Sequence, residues 1–295
     1  MKNIVSSHNV PVNISGIRLT DYLLEYGEPL LGRQCTRNFV KKTIKAGNIM
    51  INGCQANTGS WVETGQRIDY ILSDSKPAKI YQLEIPVIFE DEHLAVINKP
   101  AGIIVSGNCF RTVENALLYN LAKSMLPDAL SLPRPAHRLD ALTSGLLIIA
   151  KTNLTRIMLG DMFAKHQILK TYQAIVSGKT PLQDTITSPL NDKNAITKFI
   201  TLKQVYSLRN EWLSLLELKP ETGRTHQLRI HLSQSGFPIL GDKLYGTQGH
   251  IFKGKGLFLA ATALQFIHPV TAQQIILNIN PPAKFHIHLN RVENR

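Results

Sequence analysis

Asp140 and Arg138 stand two residues apart in His137-Arg138-Leu139-Asp140-Ala141-Leu142-Thr143-Ser144-Gly145, a polar stretch that runs into the apolar segment Leu146 to Ala150. Charge at the mouth of a buried strand has two uses. It can hold the turn as an ion pair, the commoner case for a lone Asp-Arg couple, or the rigid strand can aim a reactive carboxylate into a cleft. Ser144 lies near His137 and Asp140, yet no G-x-S-x-G elbow surrounds it, so a hydrolase triad is not supported. His286 and His288 alternate on what reads as a tail strand, and two histidines alone make no metal site. No glycine-rich phosphate loop follows a strand.

The elements around these residues are legible from periodicity. Residues 1–16 read as a loose leader. Leu19, Tyr22, Leu23 and Tyr26 then mark a short amphipathic helix. Thr36 suits the N-cap of a second helix and Gly47 its left-handed end. On that helix Arg37, Lys41 and Lys45 are spaced i, i+4, i+8 with Lys42 beside them, a stack of like charges that costs stability unless an anion covers it. Asn52-Gly53 signals a tight hairpin. Ser73 to Pro86 reads as part of a linker over 73–86. Beyond it come a hairpin over Val87–Phe89 and Leu94–Ile97 and a helix carrying Leu117, Leu118, Leu121 and Met125 as core. A buried strand (Leu146–Ala150), a helix (Thr152–Lys165), further strands and a helix from His226 to Ser235 follow. Adjacent strands joined by turns predict an α+β fold with a mixed, mainly antiparallel sheet and helices packed on it.

Composition narrows the class. The chain has 295 residues, room for about two domains, and 43% of them are apolar. Its 33 Lys and Arg against 21 Asp and Glu give +12. The charge is uneven, +2 before residue 75 and +10 after it. Such an excess favours a polyanionic partner through counterion release and says nothing of fold. Cys35, Cys54 and Cys109 lack any C-x-x-C spacing and are expected as buried small apolar residues in a reducing compartment. Neither a signal peptide nor a membrane span is read, so a cytoplasmic protein is expected.

Two resemblances sharpen these expectations. Arg18-Leu19-x-x-Tyr22-Leu23, then Ile44-Lys45-x-Gly47-x-Ile49-x-Ile51-Asn52-Gly53, then Gly65-x-x-Ile68 resemble the S4-type RNA-binding domain over residues 17–72. In that family the basic second helix faces RNA, which would engage Arg37, Lys41, Lys42 and Lys45. The remainder, taken as a catalytic domain over 87–295, resembles the RluA-type pseudouridine synthases. The residues that carry this are Asn98-Lys99-Pro100-Ala101-Gly102, the Asp140 segment, Lys170-Thr171-Tyr172-Gln173-Ala174, Thr222 to His231, and Gly236 to Gly246.

That family breaks the bond from ribose to the uracil ring nitrogen, turns the ring and rejoins it through carbon 5, with no cofactor and no metal. By position, Asp140 corresponds to its essential aspartate. A carboxylate suits sugar chemistry, since it can stabilise positive charge on the ribose, attack it or take a proton from it. Arg229 corresponds to the arginine that pairs with this aspartate and keeps it charged in a dry pocket. Tyr172 corresponds to the tyrosine that stacks on the target base. Arg138 corresponds to the residue that fills the space of the flipped nucleotide. His137, Thr143, Arg224 and His226 are placed with it at the substrate, and Lys99-Pro100, Gln227 and Asp242 in the frame of the cleft. Leu142 and Phe237 depart from the acidic residue and histidine of many bacterial members, which weakens any subfamily assignment. The expected substrate is RNA, ribosomal before tRNA, and the expected state is a monomer. The rival reading is a non-catalytic RNA-binding or ribosome-assembly protein on the same fold.

Overall fold

The computed structural model describes residues 3–14, 16–32, 34–72, 80–208, 211–246 and 255–294. The chain divides into two compact units, Met1–Ala78 and Lys79–Arg295. Residues 73–79, the front of the expected linker, lie outside the described residues; 80–86 are irregular chain.

The first unit runs β1 (Asn3–Asn9), β2 (Ile17–Arg18), α1 (Leu19–Tyr26), α2 (Glu28–Leu31), α3 (Arg37–Lys45), β3 (Ile49–Ile51), β4 (Cys54–Gln55), β5 (Trp61–Val62) and β6 (Arg67–Leu72). Leu19, Tyr22 and Leu23 of α1 meet Val40 and Ile44 of α3 over Ile49 and Ile68 of the sheet. Thr36 caps α3 by accepting from the Phe39 amide, and Gly47 follows the helix at φ +74°. Asn52 and Gly53 both take positive φ, the geometry of a two-residue hairpin turn. The loose leader is a correction: Asn3–Asn9 is a strand paired antiparallel to β6. Ile4 and Val5 are exposed, so no apolar alternation announces it. Backbone pairing holds it, together with Ser7 donating to Asp69, which Arg67 also grips at 2.7 Å.

The second unit runs β7 (Val87–Glu90), β8 (Leu94–Lys99), α4 (Val113–Asn120), β9 (Ala129–Pro135), β10 (Ser144–Thr152), α5 (Asn153–Ala164) and β11 (Leu169–Ser177). It continues β12 (Gln183–Ile186), β13 (Thr197–Ser207), β14 (Glu211–Pro220), α6 (Gln227–Gln234), β15 (Leu259–Ile267), β16 (Gln274–Asn278) and α7 (Lys284–Glu293). Its sheet is ordered β12-β13-β14-β11-β15-β10-β8-β7, with β16 on β15 and β9 on β10. Among the described strands only the β10–β15 pairing is parallel. The architecture is α+β, a mixed sheet flanked by helices. Leu146 to Ala150 are fully buried on both faces, which is why β10 reads as an unbroken apolar run.

Three expectations fail here. Met125 is 83% exposed, because α4 ends at Asn120 and the chain leaves the core. Cys54 and Cys109 are exposed and Cys35 half-buried. His286 and His288 lie in helix α7, whose Phe285 and Leu289, four apart, are its buried face. Among the described residues no helix is long and apolar enough to cross a membrane.

Candidate active site

Asp140 sits in the turn between β9 and β10, closed by the Thr143 amide on its carbonyl at 3.1 Å. The neighbouring Ala141 carbonyl is held twice, by the Gly102 amide at 2.7 Å and by the Lys99 ammonium at 3.2 Å. Lys99 is fully buried, and its other donors go to the carbonyls of Pro100 and Ile103, both at 2.8 Å. Three carbonyls thus saturate one ammonium beneath the turn. Burial draws its pKa down to about 8, against the pull of the Asp140 charge.

Register delivers Tyr172 to the same place. Ala261 of β15 pairs with Gly145 of β10 on one side and with Tyr172 of β11 on the other. A register shift between Thr171 and Tyr172 re-aims the tyrosine. Gly145 has φ +115°, and a Cβ there would collide with the Ala261 carbonyl oxygen, so only glycine lets the strands meet. Burial, then the nearby Asp140 charge, push the Tyr172 phenol well above its ordinary pKa.

Arg229, in the first turn of α6, is 6% exposed. Its Nε and Nη2 donate to the two carboxylate oxygens of Asp242 at 2.7 and 2.8 Å, and Nη1 to Asp140 Oδ2 at 3.4 Å. The sequence reading gave Arg229 to Asp140 and Asp242 to the frame. The geometry reverses the emphasis, because the fork-to-fork pair is with Asp242 and Asp140 receives the remaining arm. Burial would raise the Asp242 carboxyl, but Arg229 and the amides of Leu244 and Tyr245 outweigh it and hold it below its ordinary value. Tyr245 also lies under the guanidinium at 5.0 Å and meets His226 Nδ1 at 3.0 Å. His226 caps α6 at φ +57°, its Nε2 3.7 Å from Asp140 Oδ1.

These groups open onto a cleft of about 990 Å³. Asp140, Tyr172, Arg229, Arg138, His137, Thr143, Arg224 and His226 all line it. His137 accepts from the Ile148 amide at 3.1 Å and packs on Phe163. Burial, then the Lys170 charge, depress it to about 3, so its ring stays neutral. The Thr143 hydroxyl is buried without a hydrogen-bond partner among the described residues. Arg224 is exposed, its Nε on the Asn194 carbonyl, and buried Gln227 fixes its loop by accepting from the Arg224 amide. Arg37, Lys41, Lys42 and Lys45 lie elsewhere, exposed on α3 of the first unit. Lys170 also lines the cleft, with a pKa lowered by burial. Its two-residue spacing from Tyr172 on a strand could have revealed it. The Asp242 contact carried no such signal.

Ribosomal large subunit pseudouridine synthase D of Zymomonas mobilis is 35% identical over 274 residues, a match covering 80% of this chain and 84% of that protein. The chain belongs to the RNA pseudouridine synthases. Residues 93–234 match the family described as RNA pseudouridylate synthase. The protein of the same name from Buchnera aphidicola is 32% identical over 291 residues, covering 88% of this chain and 89% of that one. Human RNA pseudouridylate synthase domain containing 4 shares the fold with a TM-score of 0.57 at 24% identity, covering 70% of this chain and 92% of that one. This pseudouridine synthase is therefore an isomerase of the RluA type.

Proposed function

We propose that this enzyme isomerises uridines of large-subunit ribosomal RNA, with Asp140 as the carboxylate that acts on the ribose. The observation that carries the reading is the position of Asp140 in a 990 Å³ cleft, 3.4 Å from Arg229, with Tyr172 set in register across β15. Arg229, anchored by Asp242, holds a fixed positive charge against the reacting carboxylate. Tyr172 remains a neutral phenol and offers the uracil a flat face. Arg138, exposed at the rim, takes the space left by the everted nucleotide, whose unstacking costs a few kcal/mol. His137, Thr143, Arg224 and His226, which line the same cleft, complete the substrate side of the site. Residues 17–72 act as an S4-type unit that guides the enzyme onto structured RNA through Arg37, Lys41, Lys42 and Lys45, ahead of a catalytic part over 87–295. The names of the relatives support the ribosomal substrate, and a monomeric, cytoplasmic enzyme accords with that role.

Tritium release from carbon-5-labelled uridine RNA tests this. Wild type releases tritium from large-subunit ribosomal RNA and Asp140→Asn does not, while both give the same circular dichroism. Release from tRNA alone would replace the substrate. Full activity in Asp140→Asn would end the assignment of the carboxylate.

A further inference from the structure

Trp61 is 55% exposed, although its strand neighbour Val62 is fully buried. It belongs to the two-residue strand β5, which among the described residues pairs only with β2, and the register sets it directly opposite Arg18. The Arg18 guanidinium carbon lies 5.6 Å from the centre of the indole. So short a ladder has no packing need for the largest side chain, and leaving half an indole in water forgoes burial that a smaller residue would not miss.

The surroundings are cationic. One helical turn beyond Arg18, Asp21 of α1 pairs with Arg37 at 3.4 Å. From Arg37 the exposed Lys41 and Lys45 continue along α3, a row about 12 Å long at the helical rise. An indole beside an arginine, leading through one acid to a file of cations, suits a flat ring attached to a phosphate chain. Apolar protein partners need neither the arginine nor the file. Duplex RNA hides its base faces and presents only shape and phosphate, whereas unpaired bases stack on aromatic and guanidinium planes.

We propose that Trp61 and Arg18 form a stacking platform for an unpaired base of the RNA substrate, next to the phosphate track of α3. This rests on the reading of residues 17–72 as an RNA-binding unit.

The chain holds two tryptophans, Trp61 and Trp212, so the full-length Trp212→Phe protein reports on Trp61 alone. Titration with a short single-stranded oligouridylate quenches its fluorescence saturably, and a duplex of equal length quenches it little. Trp61→Ala weakens oligouridylate binding between about five- and about 150-fold, the range for one lost base stack, and Trp61→Phe recovers most of it. The quenching needs no change at Trp61, so the platform stays testable if Trp61→Ala folds poorly. If neither quenching nor affinity depends on Trp61 while Arg37→Ala with Lys41→Ala still weakens binding, the platform is wrong and the RNA-binding unit stands. If none of these changes affects binding, both are wrong.

Discussion

Arg229 reaches two carboxylates at once, and only one of them faces the cleft for chemistry. Asp242 does not line the cleft, yet it fixes the guanidinium by two short bonds and two amide contacts of its own. Asp242→Asn should therefore lower kcat by about 10- to 100-fold, the cost of misplacing a catalytic neighbour by around an ångström, while the Kd for RNA moves by less than about threefold. Parallel single-turnover and binding measurements check this, and an unchanged kcat would detach Asp242 from the site. Lys99 offers a second test. Its folded pKa of about 8 lies below the ordinary 10.5. Between those values the unfolded chain holds the proton and the folded chain has released it, so the contribution of this group to stability rises with pH across the window. Urea midpoints from pH 8 to 10.5 should climb more steeply for wild type than for Lys99→Met, and parallel slopes would refute the assignment. Asp140 was legible only through the family resemblance, because a lone Asp-Arg couple at the mouth of a buried strand is more commonly a structural ion pair. Asp242 was placed in the frame of the cleft, but its grip on Arg229 was not legible, because a 2.7 Å contact between a helix and a loop leaves no periodic trace.

At the scale of elements, β15 is the ruler that aligns the Asp140 turn with Tyr172. Its Ala261 pairs with both Gly145 and Tyr172, so a displacement between β10 and β15 alters the distance from Asp140 to Tyr172. Gly145→Ala places a methyl against the Ala261 carbonyl and also strains a backbone at φ +115°. We expect a loss of about 3 kcal/mol or more, read by chemical denaturation, with isomerase activity falling further than stability alone explains. A tolerated alanine would mean the strands can separate without consequence for the site. β8 and β10 were readable because burial on both faces forces continuous apolar runs. β9 was not, since Pro133 and Pro135 speak against a strand. It forms because among the described residues it pairs with β10 alone and its other edge asks for no further ladder bonds. β1 escaped for a related reason, being held by ladder bonds and the Ser7–Asp69–Arg67 group in place of an apolar face.

At the scale of the whole molecule, the sequence distributes its charge unevenly, +2 before residue 75 and +10 beyond it. A small net charge would not prevent the front part from meeting RNA, because the proposed contact is the exposed file on α3. Each phosphate contact removed lowers the slope of log K against log salt by about 0.7 to 0.9. Arg37→Ala with Lys41→Ala should thus flatten that slope by between about one and about two. The lower figure is expected if Arg37 stays committed to Asp21, its partner at 3.4 Å. Binding to a long structured RNA, followed by filter retention from 50 to 300 mM KCl at roughly neutral pH, gives the slope directly. The same variant should isomerise a short stem-loop at the wild-type rate, because neither residue lines the catalytic cleft. A slope identical to wild type would show that α3 points its cations at water, and the guidance of this enzyme onto RNA would then have to come from the +10 of the remaining chain.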